Sequence, residues 1–167
     1  MEFARAQPVE KKRKALAKVE RAQDRETRAS QQKLPKLLAE AQKEFNAFIR
    51  ARDKQAGQPC VSCGNPLKWE VPGLRAHEVD AGHLRSIGSA SHLRFDEDNC
   101  HAQCVWCNRD GAGKAIDYRT SLIKRIGMDR VNRLESDNEV HKWTREELRL
   151  IKVIYRGKLR DLLRQKD

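Results

Sequence analysis

The sequence predicts an α+β chain, mostly helical, in which a small zinc-stapled β unit running into a helix is flanked by basic helices. Three observations carry this expectation. Two C-x-x-C pairs, Cys60-Val61-Ser62-Cys63 and Cys104-Val105-Trp106-Cys107, are separated by 40 residues. Between them, Gly64-Asn65-Pro66, Pro72-Gly73, Gly82 and Gly88 cut the chain into the short stretches of a small β unit. On either side, apolar residues recur at helical spacing among many lysines and arginines. At 167 residues, 38% hydrophobic and 35% charged, the chain suits one compact domain with helical extensions and cannot bury a large apolar core. A bound metal is the usual supplement in so small a core.

The elements follow in order. Residues 1–33 form a basic N-terminal arm. From Pro8 to Arg28 few apolar residues stand out beyond Leu16 and Val19, so a helix there lacks a strong core-facing stripe and serves either as a solvated arm or as a grip on DNA. Residues 34–58 read as an amphipathic helix. Leu37, Leu38, Ala41, Phe45, Phe48 and Ile49 recur behind Pro35, which suits a first turn, and Gly57 with Pro59 ends the run. Residues 59–127 form the zinc-stapled core, with strands expected near Leu74–His83 and around Asn99–Gln103 and an irregular loop between them. After Cys107 the pattern turns helical, with Ile116, Leu122, Ile123 and Ile126 marking a helix stopped by Gly127. Residues 128–167 supply C-terminal helices. Val131 and Leu134 mark a short one, and Thr144 with Glu147 has capping-box spacing ahead of Leu148, Ile151, Ile154, Tyr155, Leu159, Leu162 and Leu163.

The net charge is +11, which points to an anionic partner, and its distribution sharpens the point. Residues 1–58 hold 15 Lys/Arg against 8 Asp/Glu, residues 143–167 hold 8 against 4, and the middle is balanced at 12 against 12. Basic flanks suit phosphate contacts, while a balanced centre keeps oxygen ligands for a divalent cation. No apolar run is long enough for a membrane span, and no signal-peptide stretch opens the sequence, so an intracellular protein without a membrane partner is expected. In a reducing compartment the five cysteines read as metal ligands rather than disulfides.

Cys60, Cys63, Cys104 and Cys107 supply four thiolates, the usual shell of structural zinc, with a redox C-x-x-C or unpaired core cysteines as the alternative. Cys100 falls outside both pairs and reads as a buried small hydrophobe. Between the knuckles lie Asp80-Ala81-Gly82-His83 and then Asn99, and Asn108 follows the last cysteine directly. Phosphodiester hydrolysis at neutral pH needs a base for the attacking water and a cation at the leaving oxygen. Histidine suits the first role, and Asp and Asn oxygens suit Mg²⁺ or Mn²⁺ in the second.

The stretch Asp80-Ala81-Gly82-His83, then Leu93-Arg94-Phe95-Asp96-Glu97-Asp98-Asn99, then His101-Ala102-Gln103-Cys104-Val105-Trp106-Cys107-Asn108, resembles the NinG (Rap) recombination proteins of lambdoid phages. The likeness continues through Tyr118, Leu122-Ile123, Arg125-Ile126-Gly127 and Trp143-Thr144 and covers roughly residues 40–163. The resemblance implies a ββα-metal (HNH-like) core and a structure-specific endonuclease that acts on branched DNA such as Holliday junctions and D-loops. It also implies a cytoplasmic site of action, as a phage or prophage protein in the bacterial host. By the same resemblance His83 is the general base, Asn99 fixes the loop that orients it, and Asn108 is a ligand of the catalytic Mg²⁺ or Mn²⁺. Cleavage would leave a 5′-phosphate and a 3′-hydroxyl.

The sequence departs from the HNH pattern at Gly82, where Asp or His usually precedes the catalytic histidine. Asp80 lies two residues earlier, and alternate strand residues share a face, so Asp80 is nominated as the second metal ligand, with His101 or His92 as substitutes. Members of the family can also carry a further cysteine motif near the N-terminus that is absent from this sequence. Arg85, Arg94 and His101 are candidates for the scissile phosphate. Lys114, Arg119, Lys124 and Arg125, on the helix after the site, are candidates for the DNA backbone, where contacts position without specifying sequence. Two incisions on a junction call for a homodimer, with the 34–52 helix and the last helix as its surface. A non-catalytic zinc module that binds DNA and recruits recombination factors shares the cysteines and the basic flanks. It does not require Asp80, His83 and Asn108. A site-specific homing or restriction-type nuclease ranks lower, since no base-reading element is evident.

Overall fold

The computed structural model describes residues 3–30, 32–69 and 79–165. The chain divides into two compact units, Met1–Lys36 and Leu37–Asp167. In the first, helix α1 (Phe3–Ser30) leaves Leu16 71% and Val19 55% exposed, as expected for a helix without a core-facing stripe.

The second unit begins within helix α2 (Leu34–Gln55), whose stripe Leu37, Ala41, Phe45, Phe48 and Ile49 is buried. Its partner is the last helix, α5 (Arg145–Arg164), which opens with the reciprocal capping box between Thr144 and Glu147. Phe45 meets the ring of Tyr155 edge-on at 4.8 Å and that of Phe95 at 5.6 Å. Leu148 closes the same cluster, and Tyr155 Oη donates to the Phe95 carbonyl at 3.1 Å. The helix surfaces nominated for dimerisation are thus in large part spent on one another within a single chain.

The sheet is a two-stranded antiparallel hairpin of β1 (Val79–His83) and β2 (Cys100–Cys104), with Val79 opposite Cys104 and His83 opposite Cys100. Both strands stand where the sequence put them, although the Leu74–Glu78 part of the first expected strand lies outside the described residues. The loop between them carries a short 3₁₀ turn, Ser91–Phe95. After β2 the chain does not run straight into a helix. A π-helical turn, Trp106–Asp110, leads into three consecutive residues with positive φ, Ala112 at 52°, Gly113 at 79° and Lys114 at 47°. Left-handed backbone is costly for the two residues that carry a Cβ, and this break re-aims the chain before α3 (Ala115–Ile126) and α4 (Met128–Ser136). Ile116, expected on the buried face of α3, is 83% exposed; it lies six residues before Leu122 and so points well away from the side on which Tyr118 and Leu122, four apart, face inward. They form a second core with Val61, Ala90, Leu93, Val131 and Leu134, and Tyr118 Oη pins α3 to the sheet by donating to the Gly82 carbonyl at 2.8 Å.

A buried carboxylate ties α2 to β2. Asp53, 3% exposed, accepts from the Ala102 amide at 2.6 Å and from Arg52 Nε at 2.8 Å, with Arg125 3.7 Å away. Burial pushes its pKa up, but the His101 ring, Arg52 and the Ala102 amide together outweigh burial and hold it at about 2. Because the folded value lies below the ordinary 3.8, the stabilisation is complete above about pH 4 and is lost as pH falls toward 2. Asp53→Asn is expected to cost about 2 kcal/mol at pH 7 and almost nothing near pH 2, read as urea midpoints across pH. A deficit that does not shrink with acid would show that the charge of Asp53 is irrelevant.

Candidate functional site

The two knuckles converge. One Sγ from each of Cys60, Cys63, Cys104 and Cys107 lies within 4.8 Å of the other three. Tetrahedral zinc with Zn–S bonds of about 2.3 Å sets sulfurs about 3.8 Å apart, so a small contraction suits the cluster to such an ion. Local backbone builds each knuckle. Gly64 N donates to the Cys60 carbonyl and Cys60 N to the Asn65 carbonyl, both at 2.9 Å, and the positive φ of Gly64, 72°, lets the chain turn back. Backbone amides also point at sulfur, Cys104 N at Cys60 Sγ (3.4 Å) and Cys107 N at Cys104 Sγ (3.5 Å). Burial raises the thiol pKa of Cys60, but amides of Cys63, Cys104 and Ser62 overcome it and bring the group to about 7. Burial and neighbouring thiols push Cys107 strongly upward. Four crowded sulfurs that resist ionising together fit a divalent cation, whose charge would relieve them.

Asn108, directly after Cys107, and His83 both line a cleft of about 490 Å³, with Gln42, Asn46, Ser86 and Gly113 among its other walls. His83 is held on three sides. Its Nε2 is 3.0 Å from the Arg94 carbonyl, which only accepts, so the ring carries its proton there. Its face stacks on Phe45 at 6.3 Å, and among the described residues Nδ1 meets only the Cys100 thiol, 3.7 Å away. Burial lowers its pKa below the ordinary 6.5 despite the Arg94 carbonyl, and the Arg94 charge acts in the same direction as burial. Cys100 is fully buried, and burial drives its pKa well up, so it remains a neutral thiol.

Asn99 is fully buried and works on the loop rather than in the cleft. Its Oδ1 accepts from Arg85 N at 2.8 Å, and its Nδ2 donates to the carbonyls of Arg85 and Leu93 at 3.0 and 3.1 Å. This clamp fixes Leu93 and hence the neighbouring Arg94 carbonyl that aims His83. Asp80 and Asn108 are in contact, with Asn108 Nδ2 donating to Asp80 Oδ2 at 2.9 Å. Arg109 grips the same carboxylate with Nε on Oδ2 at 2.8 Å and Nη2 on Oδ1 at 2.9 Å.

Of the proposed phosphate contacts, only Arg94 touches the wall of the cleft, through Gln42. It donates to Gln42 Oε1 at 3.1 Å and holds its buried Nε without a partner among the described residues. Arg85 instead caps the end of α4, donating to the carbonyls of Leu134 and Asp137 and to Asn138 Oδ1. His101 is 4% exposed and packed with Arg52, Asp53 and Arg125, away from the cleft, because its place in β2 turns it toward the end of α2. It is neither a phosphate contact nor a substitute metal ligand. His92 pairs with Asp137 at 3.1 Å and is no substitute either. Arg125 is committed to the Pro59 carbonyl and Asp53, Arg119 to Glu135, and Lys114 lies over the Trp106 ring at 4.9 Å. Lys124 is exposed.

Sequence reasoning missed Gln42, Asn46, Gln103 and Arg109. Gln42 and Asn46 recur at i, i+4 on α2, where Gln42 Nε2 donates to Asn46 Oδ1 at 2.7 Å, and that spacing beside the apolar stripe is the signal that could have found them.

The model of the bacteriophage lambda NinG protein family matches residues 1–165. Protein ninG of Salmonella phage P22 and that of Escherichia phage 933W are each 46% identical to the chain over 125 residues, 75% of this chain and 57% of theirs. Protein ninG of Escherichia phage lambda is 44% identical over 125 residues, 75% of this chain and 56% of its own. The chain thus spans little more than half the length of the curated relatives it matches. No solved structure matches it.

Proposed function

The chain belongs to the bacteriophage lambda NinG protein family, and from that premise we propose that it is a metal-dependent endodeoxyribonuclease that cuts branched recombination intermediates such as Holliday junctions and D-loops. The observation that carries this reading is that one neutral imidazole and one amide oxygen donor, His83 and Asn108, line a single cleft, with Asn108 next in sequence to a cysteine of the four-cysteine cluster. The cysteines hold structural zinc, and the cleft and its surroundings form an HNH-like site. Asn108, backed by Asp80, would hold Mg²⁺ or Mn²⁺, which supplies positive charge at the leaving oxygen when bound.

His83 Nδ1 takes a proton from water as its oxygen attacks phosphorus and the bond to the 3′ oxygen breaks. The 3′ oxygen gains a proton from solvent, and the products are a 5′-phosphate and a 3′-hydroxyl. The Arg94 carbonyl that holds Nε2–H stabilises the imidazolium as it forms, and the Arg94 guanidinium, held on the cleft-lining Gln42, adds positive charge for the phosphate. Exposed basic side chains such as Lys124 and those of the flanks contact the DNA backbone. No helix among the described residues is long and apolar enough to cross a membrane, and action in the host cytoplasm is part of the proposal. A homodimer supplies two incisions, and Leu150, Val153 and Ile154, exposed on α5, offer a pairing surface.

The test is incubation of the zinc-loaded chain with a four-way junction and a matched linear duplex, with Mg²⁺, with Mn²⁺ and with chelator. Incision of the junction, dependent on divalent metal and much weaker on the duplex, is expected. Binding to junctions without incision under either metal would replace this reading with that of a recombination accessory that only binds DNA.

A further inference from the structure

Gly82 stands where the HNH pattern has an acidic or imidazole side chain, and the space such a side chain would fill is already taken. A Cβ on Gly82 would lie 2.0 Å from Gln103 Oε1 and 3.2 Å from Asn108 Oδ1. Gln103 reaches this point from β2, where it pairs with Asp80, and is 1% exposed. Its amide cannot turn over. Nε2 donates to the Gly113 carbonyl at 2.8 Å, an atom that only accepts, and to Ser62 Oγ at 2.7 Å. The carbonyl end therefore faces Gly82 and Asn108, and no described residue donates to it. Asn108 is oriented in the same way, since its Nδ2 is spent on Asp80 and its Oδ1 is turned to the same point. Asp80 itself has both oxygens engaged by Arg109.

Resting on the nuclease reading of this cleft, we propose that Gln103 Oε1, rather than Asp80, is the second protein ligand of the divalent cation beside Asn108 Oδ1. Asp80 is then a positioning residue that acts through Asn108 Nδ2. Two amide oxygens oriented in advance, that of buried Gln103 and that of half-buried Asn108 on the cleft wall, are hard donors of the kind that Mg²⁺ and Mn²⁺ accept. They are also neutral, so adding charge at this position should tighten binding. The missing side chain at residue 82 and the intruding one at residue 103 are two parts of one arrangement, in which the ligand has moved from one strand to its neighbour.

The test is titration of Mn²⁺ into the zinc-loaded full chain, with free Mn²⁺ followed by electron paramagnetic resonance. Gln103→Met, which keeps bulk and removes the oxygen, is expected to weaken binding at least tenfold. Gln103→Glu is expected to tighten it severalfold, although it gives up both Nε2 hydrogen bonds. The pair Gly82→Asp with Gln103→Ala is expected to restore binding by returning the ligand to β1. If Gln103 is merely structural, Gln103→Glu binds no better than Gln103→Met, and that result overturns the proposal, as does wild-type affinity in Gln103→Met. Junction cleavage by the wild type separates the two levels. The expected Mn²⁺ pattern without incision keeps the cation site and removes the nuclease reading. Incision with unchanged binding in Gln103→Met removes the ligand assignment alone. A wild type that binds no Mn²⁺ overturns both.

Discussion

His83→Ala is expected to lower incision of a four-way junction by about three orders of magnitude, within the range of losses seen when a positioned general base is removed. The zinc content should be unchanged. The size of the loss follows from what no neighbour can replace. Of the polar groups lining the cleft, Gln42, Asn46 and Asn108 are amides and Ser86 is a hydroxyl, while behind them Arg94 is a cation and Cys100 a thiol that burial keeps protonated. The wild-type pH profile gives a second readout. Burial sets the His83 pKa below 6.5, so the neutral base persists through pH 6.5 and the rate falls only at lower pH, as the ring takes up a proton and can no longer accept one from water. Rates measured from pH 5 to 8 should therefore show an acid limb below 6.5 that is missing from the residual activity of the alanine variant. An unaltered rate in a folded, zinc-loaded His83→Ala protein would remove the residue from the mechanism.

Cys107→Ser is expected to abolish the folded state of the core altogether. Structural zinc in comparable thiolate sites binds with an apparent free energy of about 10–16 kcal/mol, comparable to or larger than the whole stability of a small domain. Here the four sulfurs join the chain just after α2 to the end of β2, and Val61 N donates to the Ala102 carbonyl at 3.1 Å across that junction. Loss of one ligand frees the end of β2 from the knuckle that follows α2. Metal analysis should give one zinc per wild-type chain. Circular dichroism should show loss of the cooperative melt in Cys107→Ser and in the chelator-stripped wild type, with recovery in the latter on adding zinc. A wild type that melts cooperatively at the same temperature with and without chelator would refute this account.

Much of this architecture was legible in the sequence, for identifiable reasons. Stripes such as Phe45, Phe48 and Ile49, the Thr144–Glu147 cap and the C-x-x-C pairs are local signals, set by residues within a few positions of one another. The placement of His83 and Asn108 on one cleft came from resemblance, since no local rule links residues 25 apart across a strand pair. What stayed hidden was decided by which neighbour claims a side chain. Arg85 and His101 read as free cationic candidates, yet the carbonyls at the end of α4 and the Asp53 carboxylate hold them. Gln103 read as an ordinary strand residue, because the vacancy it fills is made by a glycine on the opposite strand. Three successive left-handed residues, only one of them glycine, carry no pattern that propensity could detect.

The ring of Phe45 behind His83 has a wider consequence. The imidazole rests on a hydrophobic cluster assembled from both ends of the Leu37–Asp167 unit, so in the proposed mechanism the aim of the base is inherited from the fit of α2 against α5. Shaving a methylene from that cluster would blur the angle of attack before the fold gave way. Screens for heat-sensitive phage would then gather lesions at Tyr155, more than seventy positions from the imidazole in sequence, alongside those in the cleft.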